Sequence, residues 1–297
     1  KVSESALSEH ADFHVAVSEA ARNCLPEDVR AECPVIYSGA DVNRVTPAKG
    51  RFLQRKEWEI SDDKRVLLFV GRMVPGKNPE AIVQALSRLP DNWIGLIVGN
   101  GPKLEAVQQM ALQIVPSRCL FVQDGWNLHL GDVLAASDVL LMASDTEGDP
   151  IIVHEAQLAG LPMVCTDIPV IREHARSFGP LCEVVPVSPN PEQLAQAVEL
   201  AYKAATGHGP GGGLMVGRAR GVAWNHFTIA SAAVKWAEFL ERTVYQYRRS
   251  AIHPLAYLGV NRQPEVQPAT DDQQPSADDQ KPSPIHAKAQ RRFHIVY

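Results

Sequence analysis

The stretch that decides the fold is residues 138–166, which read D-V-L-L-M-A-S-D-T-E-G-D-P-I-I-V-H-E-A-Q-L-A-G-L-P-M-V-C-T. Its two ends, 138–142 and 162–166, are short apolar runs that predict β-strands, and the segment 151–159 between them predicts a helix. Neither strand alternates apolar with polar residues, which is typical of a parallel sheet covered on both faces. The stretch therefore predicts one β-α-β unit.

The helix of this unit has recognisable boundaries in the sequence. Asp149 before Pro150 predicts its start, with the aspartate side chain as N-cap and the proline at the first helical position. Gly160 predicts its end. Glu147 then lies in the loop before the helix, and Glu155 lies about a turn and a half into it.

The same pattern extends along most of the chain. Outside the central unit we predict strands over 66–70, 94–98, 119–122 and 181–185, and helices over 79–89, 103–114, 129–136 and 191–205. Repeated β-α units of this length predict an α/β fold with a Rossmann-like, doubly wound parallel sheet. Ligands of such sheets bind beyond the carboxyl ends of the strands, where all the candidate residues below fall.

The sequence divides into four regions. Residues 1–60, with predicted strands at 12–18 and 34–37, are too few to enclose a core, so we interpret them as the end of one domain and a linker. Residues 61–206 are predicted to form a second domain, which contains the Rossmann-like sheet.

The last two regions have other compositions. Residues 207–250 comprise a Gly-rich break at 207–213 and a helix, and residues 251–297 are predicted to be a disordered tail because they are polar and rich in proline and glutamine. The helix carries an apolar stripe that we expect to pack on the core: Phe227, Val234, Ala237, Leu240 and Val244.

Composition limits the possible partners and locations. A net charge of -5 gives no support for a nucleic-acid partner. The five cysteines are scattered and form no C-x-x-C pair, which favours reduced, buried thiols in a cytoplasmic protein over disulfides or a metal site. No apolar run reaches the roughly 20 residues of a membrane span. Because the chain begins with lysine, we expect that its natural N-terminus lies further upstream.

A candidate phosphate site follows the strand at 66–70. Gly71 permits a tight turn, and Arg72 and Lys77 flank a loop that opens onto a helix N-terminus. A guanidinium and an ammonium beside free N–H groups suit a phosphate or diphosphate, although two solvated surface cations explain the pattern equally well. After the next strand, Asn100 lies between two glycines that allow a ligand to approach the backbone closely, although a plain strand-to-helix turn explains these glycines equally well.

The two glutamates of the central unit form a second candidate site. Ionised carboxylates only accept hydrogen bonds, so Glu147 and Glu155 suit the hydroxyls of a sugar or ribose. The same pair could instead be the acid and nucleophile of a glycosidase. A favourable charge at a helix N-terminus explains one glutamate but not both. His154 is as consistent with a packed or surface histidine as with a catalytic one. A diphosphate site beside hydroxyl acceptors together indicates a nucleotide-sugar.

The order of these motifs resembles that of retaining glycosyltransferases of family 4, which have the GT-B fold. The matching segments, covering about residues 10–247, are G-R-x4-K from Gly71 to Lys77, G-N-G-P at 99–102, E-G-D-P-x4-E-A-Q-x-A-G-x-P from Glu147, T-D at 166–167, and V-I-Y-S-G-A-D at 35–41, which resembles the linker between GT-B domains.

The resemblance implies roles for these residues and for the four regions. Arg72 and Lys77 would hold the donor diphosphate and stabilise the leaving group, and Glu147 would contact the transferred sugar. Glu155 would hold the ribose of the nucleotide. The backbone around Gly148, Asp149, Pro150 and Ile151, together with Gly71 and Asn100, would complete the donor site, without a metal or other cofactor.

The resemblance also implies the partners. Residues 1–60 would end the acceptor domain, 61–206 would bind the nucleotide-sugar donor, and the helix after the Gly-rich break would cross back to the first domain. The acceptor would be a sugar, lipid or glycan, and peripheral contact with the inner face of a membrane would come from the part of the acceptor domain before Lys1. Without that part, we expect the chain to bind a nucleotide-sugar better than it transfers one.

One segment departs from the family pattern, and two alternative functions stay open. Pro169-Val170 stand where family members often have Gly-Gly, which puts donor contacts from that loop in doubt because proline has no N–H. A UDP-sugar epimerase of GT-B fold and a nucleotide-sugar-binding module without activity are the alternative functions.

Overall fold

The computed structural model describes residues 13–123, 128–178, 181–206, 212–256 and 293–296. The strands are β1 (Phe13–Ala16), β2 (Arg65–Val70), β3 (Trp93–Val98), β4 (Cys119–Val122), β5 (Val139–Met142), β6 (Met163–Thr166), β7 (Cys182–Val185) and β8 (Phe293–Val296). The helices are α1 (Glu19–Arg22), α2 (Glu27–Glu32), α3 (Val42–Val45), α4 (Arg51–Glu57), α5 (Ala81–Leu86), α6 (Leu104–Ile114), α7 (Leu130–Ala136), α8 (Ile151–Ala159), α9 (Pro169–Phe178), α10 (Pro191–Thr206), α11 (Gly212–His226) and α12 (Ile229–Ala256).

Six strands form one parallel sheet in the order β4-β3-β2-β5-β6-β7. The direction in which successive strands are added reverses between β2 and β5, which makes that position the topological switch point where such sheets bind ligands. The predicted α/β, doubly wound parallel sheet is confirmed, and the strands and helices predicted between residues 66 and 205 are present with small shifts at their ends.

Both faces of the sheet are buried, which explains the uninterrupted apolar strands. In β2, Val66 and Leu68 join one hydrophobic cluster, while Leu67 and Phe69 join the other on the opposite face. All four side chains are at most 4% exposed. Because side chains alternate along a strand, a sheet covered on both sides needs apolar residues at every position.

The first sixty residues contain less sheet than predicted. The expected strand at 34–37 is only a single bridge between Val35 and Ala16 of β1. The chain then runs as a linker against the junction of α11 and α12, where Ala40 bridges Thr228. A Cβ added to Gly39 would lie 2.5 Å from the Ile229 Cα, so glycine is required for this close approach.

Besides the short helices α2 and α3, two longer helices were missed in the sequence. Helix α9 begins at Pro169, so Pro169 and Val170 belong to a helix rather than to a loop, and proline is well suited to a first helical turn. Helix α11 begins at Gly212 inside the predicted Gly-rich break, whose residues 207–211 lie outside the described residues.

The predictions for the C-terminal region were partly wrong. In α12 the predicted core stripe is exposed at Val234 (60%) and Leu240 (42%), and the Val244 side chain lies outside the description. Phe227, which precedes the helix, is buried as expected.

The predicted disordered tail also contains regular structure. Helix α12 extends to Ala256, and β8 pairs in parallel with β1, while residues 257–292 lie outside the described part of the chain. Among the helices of the described ranges, each is too short or too polar to cross a membrane. The five cysteines are free thiols, and Cys24 is exposed rather than buried.

Candidate functional site

The loops after β2 and β3 are fastened to each other by their backbones. Gly71 donates its N–H to the Val98 carbonyl at 3.0 Å, and Met73 donates to the Asn100 carbonyl at 2.8 Å. A Cβ on Gly99 would lie 1.9 Å from the Gly71 carbonyl oxygen, so this position accepts glycine alone. The sequence requirement for small residues here is therefore a requirement for close packing of two loops.

The loop after β2 also contacts the loop after β5, across the switch point. Asp145 donates its N–H to the Gly76 carbonyl at 2.8 Å, and the Asn78 amide donates to the Ala143 carbonyl at 2.9 Å. These bonds bring the Lys77 ammonium onto the Glu147 carboxylate, which accepts its hydrogen bond. Two residues predicted from separate motifs thus form one ion pair.

Arg72 differs from Lys77 in its surroundings. Its side chain is exposed, and its guanidinium makes no ion pair or hydrogen bond with any residue that the structure describes. An unpaired guanidinium at the carboxyl end of a central strand is available for an anionic ligand.

Glu155 is the buried member of the glutamate pair. Its side chain is 5% exposed, and its Oε1 accepts from the Arg44 Nη1 at 3.0 Å. Burial raises the pKa of Glu155, and the positive charge of Arg44 partly offsets that effect. Sequence analysis missed Arg44, which follows the G-A-D segment of the linker by three residues.

Eight of the predicted site residues line one cavity of 320 Å³, namely Gly71, Arg72, Lys77, Glu147, Asp149, Pro150, Ile151 and Glu155. A second cavity of 510 Å³ shares Gly71 and Arg72 with the first and is also lined by Asn100 and Arg44. We call these two adjoining cavities the cleft. The structure therefore brings these predicted residues together at the switch point of the sheet, while Gly148 is not among the residues that line the cleft.

Another large cavity lies at the amino ends of the strands. It measures 460 Å³ and is lined by residues that precede β5 and β6, including Asp138 and Pro162, and by Trp224 of α11. None of the predicted site residues lines it.

The prediction that Asp149 caps helix α8 was wrong. The N-cap is Pro150, and no side chain caps the helix. The Asp149 side chain turns away from the helix and into the protein, where Ser38 donates its N–H to Oδ2 at 2.6 Å. The side chain is fully buried, so a ligand in the cleft meets the backbone of Asp149 rather than its carboxylate.

Two histidines account for this orientation. The Nε2 of His154 lies 2.7 Å from the Asp149 Oδ1, and the Nε2 of His174 in α9 lies 3.2 Å from the same oxygen. Because an ionised carboxylate only accepts, both nitrogens must carry hydrogen. We call Asp149, His154 and His174 the carboxylate clamp. His154 is thus a packed histidine, one of the two options left open by the sequence.

The contacts in the clamp change the pKa values of Asp149 and His154. Burial opposes ionisation of Asp149, but the hydrogen bonds from the two histidines outweigh this effect and lower the pKa of Asp149 to about 2. Burial lowers the pKa of His154, against the opposing influence of Asp149. The ring of His154 also stacks on Phe227 with centroids 4.1 Å apart.

The ligand atoms of the clamp lie within 4.8 Å of one another, a spacing that a metal ion would accept. Sequence analysis predicted no metal site. Hydrogen bonds already explain each close contact of Asp149, and we interpret the cluster as a hydrogen-bonded one.

Further polar contacts hold the same loop and the linker. The Ser18 hydroxyl donates to the Gly148 carbonyl at 2.6 Å, and the Tyr37 hydroxyl donates to Glu173 Oε1 at 2.7 Å. Glu173 also accepts the N–H groups of Glu19 and Ala20 at the start of α1. Sequence analysis missed these residues because their partners lie more than a hundred positions away along the chain.

Comparison with known proteins identifies related chains. Residues 50–205 match the family model described as Glycosyl transferases group 1. A D-inositol 3-phosphate glycosyltransferase of Mycobacteroides abscessus is 31% identical over 144 residues, which cover 46% of this chain and 32% of the relative. The N-acetyl-alpha-D-glucosaminyl L-malate synthase of Bacillus anthracis is 28% identical over 184 residues, covering 59% of this chain and 47% of the relative.

A solved structure shows the same fold. Anabaena HepE in complex with UDP and glucose superposes with a TM-score of 0.68 at 18% identity, covering 80% of this chain and 65% of that one. The likeness confirms the Rossmann-like half of a GT-B fold that the motifs predicted. The chain spans between about a third and a half of the curated relatives described above.

Proposed function

Because the chain belongs to the glycosyl transferases group 1 family, we propose that its cleft binds a nucleotide-diphosphate sugar whose sugar the whole protein transfers to an acceptor. The observation that carries this proposal is the convergence of Arg72, Lys77, Glu147 and Glu155 on one cavity at the switch point. A diphosphate needs the cations, and the hydroxyls of a sugar and a ribose need the carboxylates.

We infer a part for each residue from its contacts in the cleft. Arg72, which is unpaired among the described residues, and Lys77 would bind the diphosphate and stabilise the charge that develops on it as it leaves. Glu147 would exchange part of its contact with Lys77 for hydroxyls of the transferred sugar. Glu155, which is paired with Arg44, would accept hydrogen bonds from the ribose in the adjoining part of the cleft.

We further propose that transfer retains the anomeric configuration, as the resemblance to family 4 implies. In that reaction the bond from the anomeric carbon to the phosphate oxygen breaks, and the acceptor oxygen bonds the same face of the sugar. The departing phosphate oxygen accepts the acceptor's proton, so no further base is required. Residues 61–206 would supply the donor domain, and residues 1–60 the edge of the acceptor domain.

UDP is the first nucleotide to test, since the similar Anabaena structure holds UDP. Calorimetric titration with UDP-, GDP- and ADP-glucose should show binding of at least one donor. Glu155→Gln should weaken that binding about tenfold or more through lost charged hydrogen bonds, whereas Glu192→Gln, at an exposed pair with Arg88, should not. Absence of binding by all three donors, or equal binding by Glu155→Gln, would overturn the proposal.

Transfer requires a second experiment, since the alternative is a donor-binding module without activity. A chain extended upstream of Lys1 should transfer the sugar to a sugar, lipid or glycan acceptor, in polysaccharide, glycolipid or glycoconjugate synthesis. The anomeric configuration of the product, read by NMR, should match that of the donor. An inverted product would exclude retention, and donor binding without any transfer would favour the module.

A further inference from the structure

The start of helix α8 shows an unusual combination of features. The helix has no side-chain cap, although an aspartate stands one residue before its N-cap. The first N–H groups of a helix have no acceptor within the helix, and its positive end attracts a nearby carboxylate. The uncapped end faces the cleft, since Pro150, Ile151 and Ile152 all line the 320 Å³ cavity. Asp149 is therefore close in sequence to a favourable partner that it does not use.

Three donors hold the Asp149 carboxylate on the other side of the loop. They come from different parts of the chain: Ser38 in the linker, His154 within α8 itself, and His174 in α9. The side chains of Asp149, His154 and His174 are at most 3% exposed. The carboxylate is thus buried and paired where it lies, which is the only condition under which a buried charge is stable.

We propose that His154 and His174 are positioning residues that hold the Asp149 carboxylate away from the N-terminus of α8, so that this helix end stays free to bind the donor's sugar-diphosphate. The inference rests on the proposed function and deepens it. If the carboxylate were released, it would reach the helix end from one residue away and compete with the anionic donor for the same N–H groups. It would also repel the diphosphate directly.

The clamp further couples the cleft to the linker. Ser38 and His174 both hydrogen-bond the Asp149 carboxylate. The preceding residue, Gly148, accepts a hydrogen bond from Ser18 in the N-terminal region. The conformation of the loop from Gly148 to Pro150 therefore depends on groups outside the donor-binding sheet. A positioning role predicts that loss of the histidines weakens donor binding through Asp149 rather than through lost contact with the ligand.

A double-mutant cycle tests this dependence. We would compare His154→Leu, Asp149→Asn and the double variant in titrations with UDP, or with GDP or ADP if the unmodified chain binds that nucleotide more tightly. His154→Leu should weaken nucleotide binding about tenfold, and adding Asp149→Asn should restore affinity to within about threefold of the unmodified chain. Removal of a merely structural contact would instead make the double variant worse than either single one.

The control is a matched aspartate and histidine in the region of α7, neither of which lines the cleft. Asp132 is buried, lies 3.8 Å from His129 Nδ1, and accepts the N–H groups of Lys49 and Gly50. His129→Leu and Asp132→Asn should leave nucleotide affinity unchanged. Thermal melts without nucleotide would identify any variant that is unfolded, and His174→Leu would then replace His154→Leu in the cycle.

Each outcome has one interpretation. If the unmodified chain binds none of the three nucleotides, the proposed function fails before the clamp is tested, and the clamp proposal fails with it. If it binds and His154→Leu and His174→Leu bind equally well, or if Asp149→Asn does not rescue them, the positioning role alone is wrong. Added EDTA or Zn²⁺ should not change the melting temperature of the nucleotide-free chain, and a change that Asp149→Asn abolishes would show a metal site in place of the clamp.

Discussion

The two sides of the loop between β5 and α8 carry acidic residues in opposite situations. Glu147 faces the cleft in a partly exposed ion pair with Lys77, whereas Asp149, two residues later, is fully buried among three donors. The first pair can open at little cost, because partly exposed ion pairs contribute little to stability. The second cannot open without leaving a charge buried. We infer that the Lys77–Glu147 pair can rearrange when a ligand binds, whereas the contacts of Asp149 fix the conformation of the loop.

The buried side continues into the linker, where Gly39 and Ala40 pack against the α11–α12 junction. Gly39→Ala is the largest change that we predict, because the added Cβ would meet backbone atoms that cannot move aside. We expect the free energy of unfolding to fall by about 3 kcal/mol in urea denaturation. Gly221→Ala is the control, since nothing lies within 4 Å of its Cβ. It should be neutral or slightly stabilising. Equal effects of the two would show that the linker does not pack as described.

The next prediction concerns the buried carboxylate itself. The lowered pKa of Asp149, about 2 against an ordinary 3.8, corresponds to roughly 2 kcal/mol of stability at neutral pH. Asp149→Asn should remove about that amount in urea denaturation, while Asp91→Asn, at a 99% exposed side chain, should remove none. An unchanged midpoint for Asp149→Asn would contradict the contrast between the two sides of the loop.

The pH dependence of stability provides a further test of the buried side of the loop. The pKa of His154 is lowered by burial, so the unfolded chain takes up a proton below about pH 6.5 that the folded chain does not, and stability falls as the pH falls. The titratable groups that face the His154 ring are Asp149 and His174. The contribution of Asp149 to stability is lost only as the pH falls from about 4 to 2. His154→Gln should flatten the decline between pH 7 and pH 5. An identical pH profile for the variant would exclude the assigned protonation.

The smallest expected effect on stability lies on the cleft side. Lys77→Ala should change the free energy of unfolding by less than about 1 kcal/mol, because the ion pair is partly exposed. The same variant should nevertheless weaken nucleotide-sugar binding about tenfold, measured by calorimetry. Lys203→Ala, at an exposed helical pair with Glu199, should affect neither quantity. A large loss of stability in Lys77→Ala would show that this side is structural as well.

The sequence predicted the sheet and the lining of the cleft because both depend on local patterns. Uninterrupted apolar strands identify a parallel sheet, and a parallel sheet places its strand ends together, so Arg72 and Glu147 had to be neighbours. Asp149 was misjudged for the opposite reason. Its local preference is to cap α8, and this preference is overridden by Ser38 and His174, which no local pattern connects to it.

The errors in the C-terminal region have a related cause. Periodicity identifies the apolar stripe of α12 but does not identify what it packs against, and Val234 and Leu240 are exposed within the described chain. Composition likewise predicts a disordered tail, because the few apolar residues of the four-residue strand β8 do not alter the average composition of the region. The structure nevertheless pairs β8 with β1.

A calorimetric titration of UDP-glucose into the unmodified chain, Arg72→Ala and Arg88→Ala tests whether the cleft is the donor site. Arg72 is exposed in the cleft and unpaired among the described residues, whereas Arg88 pairs with Glu192 on the surface. We predict binding to the unmodified chain, equal binding to Arg88→Ala, and binding about ten- to a hundredfold weaker in Arg72→Ala with an unchanged melting temperature. Equal affinity in all three proteins would contradict the assignment of the cleft as the donor site.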